Sequence, residues 1–221
     1  MSTPTYTGDV AVAGPADVRE LPGLTVSKVA VSEMANNAYL LRCTATGEGL
    51  LVDAADEPAV LLALVGDADL RTVVTTHGHW DHHRALPDVV TATGAATVAH
   101  PADAPALPVP VTRPVEHGDT VAVGEQVLEV VHLRGHTPGS IALVWRGPGD
   151  AGVHLFTGDS LFPGGVGKTW SAEDFASLVD DVEQRLFAVL PDGTWVYPGH
   201  GADTTLGAER PHLREWRERG W

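Results

Sequence analysis

Short runs of alternating apolar and polar residues follow the amino-terminal segment. Such alternation is typical of β-strands that bury one face. It predicts strands at 24–31, 38–41 and 49–53, with Asn36-Asn37 as the turn between the first two. Three consecutive short strands indicate an antiparallel meander. Residues 1–20 lack periodicity and are rich in Thr, Gly, Pro and Ala, which predicts a poorly structured arm or at most an edge strand.

Other segments have the signals of α-helices. Pro58 and Gly66 bound a helix predicted at 57–66, because proline suits a first helical turn and glycine a helix end. Ser171 is predicted to cap a helix at the amide of Asp174. The apolar residues that follow lie at helical spacing and should face a core: Phe175, Leu178, Val179, Val182, Leu186 and Phe187. Two further helices are predicted at 85–94 and 205–219.

The remaining apolar runs predict more strands. They lie at 71–75, 96–100, 141–145, 153–156 and 195–197, and a hairpin joins 120–124 to 126–131. Proline density between Pro101 and Pro114 forbids regular structure and indicates a surface connection. No repeat or interior linker divides the chain, so residues 21–221 are interpreted as one domain. Strand meanders with helices between and after them predict an α/β fold of four layers, an αββα sandwich.

The composition restricts the class of protein. A length of 221 residues with 43% apolar and 19% charged residues predicts a globular domain. Fourteen basic against 29 acidic residues give a net charge of −15, which disfavours nucleic acid as a partner. No signal peptide or membrane-spanning run is visible, so a cytoplasmic protein without a membrane partner is expected. The single cysteine, Cys43, lies in an apolar run and is interpreted as a packed strand residue.

Metal-binding side chains are concentrated in Thr76-His77-Gly78-His79-Trp80-Asp81-His82-His83, which directly follows a predicted strand. Alternate side chains of an extended or turning backbone point the same way. His77 and His79 can therefore converge on one metal ion, while Asp81 and His82 turn toward a second. The glycine between the first two histidines is expected to let the chain bend closely around the metals. A solvated histidine-rich loop is the alternative.

Three more candidate ligands each follow a predicted strand and lie beside glycine: His136, Asp159 and His200. Loops that follow rigid strands can bring such residues to one rim. The whole set comprises five imidazoles and two carboxylates, which is enough for two ions that share one carboxylate. We assign His77, His79 and His136 to the first ion and Asp81, His82 and His200 to the second, with Asp159 as the bridge.

This donor set predicts two divalent ions per chain. Imidazole and carboxylate without thiolate suit zinc, with iron or manganese as alternatives. Two ions roughly 3.5–4 Å apart would hold a hydroxide and polarise a substrate carbonyl. Asp81 and Asp159 count as catalytic as well as ligating residues. Asp53 could accept a hydrogen bond from a ligand imidazole, His83 could support the ligands, and the other histidines are interpreted as structural or surface residues.

At these residues the chain resembles the metallo-β-lactamase superfamily, and within it the glyoxalase II-like hydrolases. The resemblance is carried by His77-x-His79-x-Asp81-His82, with His136, Asp159 and His200 following in order. It implies the αββα fold and a dinuclear centre. It also implies substrate-binding roles for two residues. A lysine at the position of Lys168 contacts the anionic thiol carrier in the family, and Trp170 stands where glyoxalase II usually has a tyrosine.

The expected function is hydrolysis of a thioester or related ester of a small molecule. A thiolate leaves readily because thiol pKa values are about 8.5, so a site without an obvious general acid can expel it. Two alternatives remain: a persulfide dioxygenase with one iron at positions such as His77, His136 and Asp159, and an inactive metal-binding module. Trp216 and Trp221 mark either a dimer contact or a cover for the core, so a monomer or a homodimer is expected.

Overall fold

The structure, a computed structural model, describes residues 5–220. Residues 1–4 of the predicted arm and Trp221 lie outside the described part. Between residues 5 and 220, two main β-sheets pack face to face and α-helices cover both outer faces. This arrangement confirms the predicted α/β sandwich of αββα type.

The first sheet contains seven strands in chain order. They are β1 (Asp17–Leu21), β2 (Leu24–Val31), β3 (Asn36–Cys43), β4 (Glu48–Val52), β5 (Asp69–Val74), β6 (Ala96–Ala99) and β7 (Arg113–Pro114). Strands β1 to β4 pair antiparallel, which confirms the predicted meander. Strands β4 to β7 pair parallel, so the loops that follow them leave the sheet at one edge.

The later strands are β8 (Thr120–Val123), β9 (Gln126–His132), β10 (Ile141–Arg146), β11 (Val153–Gly158), β12 (Leu161–Phe162), β13 (Gly165–Val166), β14 (Trp195–Pro198) and β15 (Thr204–Thr205). Six of them form the second sheet in the order β15-β14-β11-β10-β9-β8. Strands β8 and β9 are the predicted hairpin. Strands β12 and β13 form a separate hairpin whose two-residue strands are too short to give a periodic signal.

Alternation along the strands sorts side chains between the two sheets and the helices. On β3, Leu41 packs between the sheets, whereas Leu40 packs against the helices of the first sheet. On β10, Leu143 and Val144 divide in the same way. Burying one such side chain contributes about 1.5–3 kcal/mol. Cys43 is fully buried between the sheets, which confirms that it is a packed strand residue.

In the described part of the chain, five α-helices complete the fold: α1 (Pro58–Val65), α2 (Leu86–Thr93), α3 (Ala172–Val182), α4 (Leu206–Glu209) and α5 (Leu213–Arg219). Helices α1 and α2 cover the first sheet, and α3 and α5 cover the second. Gly66 and Gly94 end α1 and α2. The hydroxyl of Ser171 accepts a hydrogen bond from the amide of Asp174 at 3.0 Å, which confirms the predicted cap. The predicted apolar stripe after it is buried throughout.

The helix predicted at 205–219 is interrupted. Helices α4 and α5 are separated by a 3-10 turn at Arg210–His212. Pro211 lies in that turn, where its missing N–H and its ring prevent α-helical hydrogen bonding. Trp216 on α5 is 1% exposed, and its ring lies 6.2 Å from that of Phe187. Trp216 therefore covers the core, which leaves no exposed ring for a dimer contact at this position.

Two loop predictions are wrong. Asn36 and Asn37 begin β3, and the turn lies at 32–35, where Ser32 has a φ of 65°. Asparagine favours turns by propensity, but both side chains here contact the loop that contains His200. The connection at 101–114 contains strand β7 and is not confined to the surface, because Asp103 is only 4% exposed.

The amino-terminal segment is attached to the domain by long-range contacts. Strand β1 lies at the edge of the first sheet, in agreement with the edge strand that the sequence allowed in this segment. The hydroxyl of Tyr6 donates to Asp203 at 2.6 Å, and Nζ of Lys28 donates to the carbonyl oxygen of Gly8 at 2.7 Å. These partners are distant in the sequence, so the composition of the segment alone predicts a loose arm. In the folded chain, Tyr6 and Gly8 are hydrogen-bonded to the domain. None of the helices within residues 5–220 is long and apolar enough to cross a membrane.

Candidate metal centre

Four predicted ligands lie on the loop that follows β5. His77 and His79 precede a 3-10 turn, Trp80–His82, that contains Asp81 and His82. The change from extended to helical backbone points the two pairs in different directions. Apart from His79, these ligands are at most 6% exposed. The loop is therefore packed into the domain, which argues against a solvated histidine-rich loop.

The second sheet provides the other three candidates. His136 follows β9, Asp159 follows β11 and His200 follows β14. Strands β11 and β14 are parallel neighbours, so the loops after them leave at the same edge. The structure brings all seven side chains together in three overlapping groups, and the donor atoms of each group lie within 4.8 Å of one another. The groups are His77 with His79 and His136, His77 with His82 and Asp159, and Asp81 with His82 and His200.

One group, which we call the first half-site, consists of His77, His79 and His136. Nδ1 of His79 lies 2.9 Å from Nε2 of His136, which in turn lies 3.3 Å from Nε2 of His77. Two nitrogen ligands bound 2.0–2.1 Å from one tetrahedral ion lie roughly 3.3 Å apart. The spacing of these nitrogens therefore suits a shared cation.

A second group, the second half-site, consists of Asp81, His82 and His200. Nε2 of His82 lies 3.2 Å from Nε2 of His200. Oδ2 of Asp81 lies 3.6 Å from the first of these nitrogens and 3.5 Å from the other. Two imidazoles and a carboxylate at these distances form a second set of donors around one point.

Asp159 lies between the two half-sites. Its Oδ1 is 3.4 Å from Nε2 of His82, and its Oδ2 is 3.6 Å from Nε2 of His136. Within residues 5–220 no donor reaches Oδ1 with hydrogen-bond geometry although this atom is buried, and a buried carboxylate oxygen normally has a partner. A cation would satisfy it. Gly199 leaves room for this carboxylate, because a Cβ there would lie 2.1 Å from Oδ1.

Contacts outside the cluster determine which ring nitrogen of His136 and of His200 carries a proton. Nδ1 of His136 lies 2.7 Å from the carbonyl oxygen of Lys168, and Nδ1 of His200 lies 3.0 Å from that of Met34. A carbonyl oxygen can only accept, so both Nδ1 atoms are protonated and both Nε2 lone pairs face the half-sites. Histidines that bind metals typically donate their outer N–H in this way.

Two residues support the second half-site from behind. Asp53 directly follows β4, and its Oδ2 lies 2.9 Å from Nδ1 of His82. It accepts a hydrogen bond from this nitrogen, as the sequence predicted. Nδ2 of Asn36 donates to Oδ2 of Asp81 at 2.9 Å. Asn36 was missed by the sequence analysis because it looks like a turn residue, and its partner lies 45 residues away. Its position at the start of a strand brings it to the site.

Protonation of the clustered side chains follows from their burial and from the nearby carboxylates. Burial, helped by neighbouring imidazoles, lowers the pKa of His77 well below its ordinary value. Burial has the same effect on His82, but the carboxylates of Asp159 and Asp53 outweigh it and raise the pKa to about 10. Burial opposes ionisation of Asp81, yet hydrogen bonds from its histidine and asparagine neighbours lower its pKa. A divalent cation would therefore compete with a proton for Nε2 of His82.

The residues present fit a pair of divalent ions. The five imidazoles and two carboxylates provide nitrogen and oxygen donors without thiolate, a set that suits zinc, iron or manganese. The first half-site would hold one ion and the second half-site the other. The carboxylate of Asp159 lies within 3.6 Å of nitrogens from both half-sites, so it could be shared.

Lys168 and Trp170 lie at the rim of the cluster. The ring of Trp170 is 66% exposed, and its centroid lies 6.4 Å from that of His79. Nζ of Lys168 is 4.5 Å from the centroid of the Trp170 ring. Trp170 lines two cavities, one of about 680 Å³ that also includes Lys168 and one of about 410 Å³ that includes His136. The cavities provide binding space beside the first half-site.

The remaining histidines lie outside the three groups of donors. His83 is 6% exposed and lies against the ligand loop, with Nε2 3.3 Å from the carbonyl oxygen of Gly78. His100 and His132 stack with centroids 4.0 Å apart, outside the three groups. His154 is buried, and the last two, His117 and His212, are exposed.

Comparisons with known proteins identify relatives of this chain. The hydroxyacylglutathione hydrolase of Fuscovulum blasticum is 38% identical over 169 residues, which cover 75% of this chain and 62% of the relative. The chain thus spans about 62% of the length of that curated relative. This relative confirms the resemblance to glyoxalase II that the sequence suggested.

Two solved structures extend the comparison. TTHA1623, solved in a di-iron-bound form, is 34% identical with a TM-score of 0.67 and covers 83% of this chain and 96% of its own. ETHE1 from Myxococcus xanthus is 32% identical with a TM-score of 0.75, covering 85% of this chain and 82% of its own. The sequence model of the metallo-beta-lactamase superfamily matches residues 31–200, the span from the end of β2 to the last proposed ligand. With this match, and with the fold and the grouped side chains described above, the chain belongs to the metallo-beta-lactamase superfamily.

Proposed function

We propose that the protein is a metallo-hydrolase that uses two divalent ions to cleave a thioester, or a related ester, of a small molecule. The position of Asp159 is the observation that carries this proposal. Its carboxylate lies within 3.6 Å of nitrogens from both half-sites, which is the place of a ligand shared by two ions. The similarity to hydroxyacylglutathione hydrolases supports the same class of reaction.

The residues of the site have separate tasks in this reaction. Bound divalent ions would supply Lewis acidity to the substrate carbonyl and lower the pKa of a water molecule to about 7. The five histidines would hold the ions, and hydrogen bonds of their outer nitrogens orient His82, His136 and His200. Asp81 and Asp159, the proposed catalytic carboxylates, have pKa values below their ordinary range despite burial, because hydrogen bonds and nearby imidazoles favour the ionised form. Both are therefore anionic near neutral pH and can accept a hydrogen bond from the attacking water.

A thioester suits the site better than an amide or a phosphodiester. A thiol has a pKa of about 8.5, so its thiolate leaves without a strong general acid. The rim offers Lys168 and Trp170 to the carrier portion of the substrate. In a chain with a net charge of −15, the ammonium of Lys168 beside the cavity is a local attraction for an anionic carrier.

The metal is proposed to be zinc, with iron or manganese as alternatives. Imidazole and carboxylate donors suit all three ions. The di-iron-bound form of TTHA1623, a similar protein, gives iron particular support. The substrate is proposed to be a small molecule, and the enzyme a monomer or a homodimer.

The dioxygenase alternative uses fewer of these side chains. One iron at His77, His136 and Asp159 would leave the second half-site without a metal. That half-site has two imidazoles and a carboxylate within 3.6 Å of one another, and Asp53 and Asn36 support it from behind. The number of ions per chain therefore separates the two functions. An inactive module is disfavoured because all seven donors are present.

The proposal is tested by reconstitution and turnover. Metal-depleted protein is loaded with Zn²⁺, Fe²⁺ or Mn²⁺, and hydrolysis of S-acylated glutathione and S-acylated cysteamine is followed. We expect activity only after loading. Asp159→Asn should lose more than the roughly 10- to 100-fold typical of residues outside the ligand set. The control Asp67→Asn removes a charge from a side chain that is 87% exposed and should retain activity.

The outcomes are distinct. Metal-independent hydrolysis, or an Asp159→Asn variant as active as the control, would contradict the proposal. One iron per chain with oxygen consumption on a persulfide would instead support the dioxygenase. Metal binding without hydrolysis of either thioester and without oxygen consumption would favour the inactive module.

A further inference from the structure

Asp103 links the two loops that carry the first half-site. It lies in the proline-rich connection after β6, just before a 3-10 turn at Ala104–Ala106, and it is 4% exposed. Oδ2 accepts a hydrogen bond from the backbone N–H of Gly78 at 2.8 Å. Gly78 stands between His77 and His79, so this bond holds the backbone that orients both imidazoles.

The same carboxylate also holds the loop that contains His136. Its Oδ2 accepts from the hydroxyl of Thr137 at 2.5 Å, and its Oδ1 accepts from the backbone N–H of Gly139 at 2.8 Å. Thr137 directly follows His136 in the chain. One buried carboxylate thus accepts three hydrogen bonds from two loops that are about sixty residues apart in sequence, as the 59-residue separation of His77 and His136 shows.

Two glycines allow this close approach. A Cβ at position 139 would lie 2.8 Å from Cγ and from the backbone nitrogen of Asp103. A Cβ at position 78 would lie 3.3 Å from Cγ of Asp103 and 3.1 Å from Cβ of Ala106. From the sequence, Gly78 was expected to let the chain bend closely around the metals. The structure gives a different reason, because the space beside Gly78 is occupied by Asp103 and its neighbour.

We propose that Asp103 is a positioning residue that fixes the distance between His77, His79 and His136 and thereby sets the metal affinity of the first half-site. This inference rests on the ligand assignment of the proposed function. Asp103 acts through backbone and hydroxyl groups next to the ligands. Partners of this kind typically change metal affinity by about 10- to 100-fold when they are removed.

Three hydrogen bonds explain why a carboxylate is required. A carboxylate has two accepting oxygens, whereas the side-chain amide of asparagine has one oxygen and an NH₂ group that donates. In Asp103→Asn the NH₂ group would face the N–H of either Gly78 or Gly139, whichever way the amide turned. One ligand loop would then lose its acceptor while the shape of the side chain stayed the same.

The test is a titration of metal-free protein with Co²⁺, followed by its visible absorption and by competition with a chelator. We expect Asp103→Asn to bind the ion at the first half-site about 10- to 100-fold more weakly, with an altered absorption spectrum. Thr137→Val removes one of the three hydrogen bonds and should give a smaller loss in the same direction. The unfolding of each metal-free variant is measured in urea, so that loss of affinity is separated from loss of stability.

The matched control is Thr97→Val. Thr97 lies on β6 of the first sheet, outside the ligand loops. Its hydroxyl is buried and donates to the carbonyl oxygen of Pro110 at 2.6 Å. This variant should lose stability comparably to Thr137→Val and bind Co²⁺ like the parent, within about 2-fold, since its partner does not touch a ligand loop.

The proposal is overturned if Asp103→Asn binds Co²⁺ as the parent does, if Thr97→Val weakens binding equally, or if the parent binds no ion at the first half-site. If Asp103→Asn does not fold, Thr137→Val decides between the same outcomes. Weakened Co²⁺ binding by a protein that hydrolyses no thioester would support the role of Asp103 while contradicting the proposed function. Thioester hydrolysis by the parent, together with unchanged Co²⁺ affinity in the variants, would support the proposed function while contradicting the role of Asp103.

Discussion

Oδ2 of Asp53 lies 2.9 Å from Nδ1 of His82 and fixes the ring so that Nε2 faces the second half-site. The same carboxylate accepts hydrogen bonds from the backbone N–H and the hydroxyl of Thr76, both at 2.8 Å. Strands β4 and β5 are parallel neighbours, so Asp53 and Thr76 leave the sheet side by side. The metal loop is therefore attached to the adjacent strand end through one carboxylate.

Asp53→Asn should weaken the second half-site selectively. The amide cannot accept all three hydrogen bonds, so the ring of His82 loses its fixed orientation. We expect the ion there to bind about 10- to 100-fold more weakly, while the first ion is retained. Ion content after dialysis against a weak chelator measures this. Asp69→Asn, at the exposed start of β5, is the control, and equal retention of both ions by the two variants would contradict the prediction.

His154 predicts a loss of stability in acid. Its Nε2–H donates to the carbonyl oxygen of Ala151 at 3.0 Å, so Nδ1 accepts the hydroxyl hydrogen of Tyr197 at 2.8 Å. Burial lowers the pKa of His154 from 6.5 to about 4. Above 6.5 the ring is neutral in both the folded and the unfolded chain. As the pH falls from 6.5 toward 4, only the unfolded chain binds the proton, and the folded state loses about 1–3 kcal/mol.

His154→Gln removes this titration while leaving a donor and an acceptor. The difference in unfolding free energy between the parent and this variant should be greatest near neutral pH and shrink by about 1–3 kcal/mol at roughly pH 4.5. Urea unfolding across the pH range provides the measurement. A difference that stays constant with pH would show that His154 does not carry the effect.

The buried pair of Lys28 and Asp203 should dominate the attachment of the amino-terminal segment. Both side chains are fully buried, and Nζ lies 2.7 Å from Oδ1. Burial lowers the pKa of Lys28 and raises that of Asp203, so desolvation opposes the pair even though the charges attract. Lys28→Met would leave the carboxylate of Asp203 buried without the cation that pairs with it. We expect a loss of about 3–5 kcal/mol of unfolding free energy.

A double-variant cycle tests that explanation. Lys28→Met combined with Asp203→Asn removes both charges and should lose less stability than the sum of the two single variants, because an isolated buried charge is the main cost. Urea unfolding of the four proteins gives the coupling free energy. Losses that simply add would mean that the two side chains act independently.

Trp170 should affect substrate binding more than the chemical step. Its exposed ring lines both cavities beside the first half-site, and stacking on an aromatic ring is worth about 0.5–1.5 kcal/mol. Trp170→Ala should therefore raise KM for a thioester roughly 3- to 10-fold with kcat within about 2-fold. Val189→Ala removes another exposed apolar side chain, 59% exposed, and is the control. A fall in kcat at unchanged KM would place Trp170 in the chemical step.

Lys168→Gln should act on charge alone. It removes the ammonium beside the Trp170 ring while the backbone carbonyl that accepts from His136 stays in place. We expect KM to rise for an anionic carrier such as glutathione and to change little for a neutral carrier such as cysteamine acylated at both ends, because exposed charges act through screened attraction. Arg146→Gln, at the end of β10, controls for the change in net charge. Equal effects on both carriers would contradict an electrostatic role.

Sequence reasoning succeeded where the signal was local. Strand alternation, the Ser171 cap and the glycines at the ends of α1 and α2 are visible within a few residues. The seven candidate ligands could be proposed because they follow predicted strands, and His136, Asp159 and His200 also lie beside glycine. Asp53 could be proposed because a strand-terminal carboxylate near the metal loop is a recognisable pattern.

The failures involve contacts between distant segments. Asn36 has the propensity of a turn residue, but its bond to Asp81 depends on how β3 meets the metal loop. Asp103 lies among prolines that predict a surface connection, and only the folded chain shows that it reaches two ligand loops. Pro211 was a local signal for the break between α4 and α5 and could have been used from the sequence.

The proposed function requires seven side chains to hold two ions close together. Crystals of the metal-loaded protein, measured at the absorption edge of the bound metal, test this requirement. We expect two anomalous peaks roughly 3.5–4 Å apart, one among His77, His79 and His136 and the other among Asp81, His82 and His200, with Asp159 between them. A single peak at His77, His136 and Asp159, with the second half-site holding no metal, would contradict it.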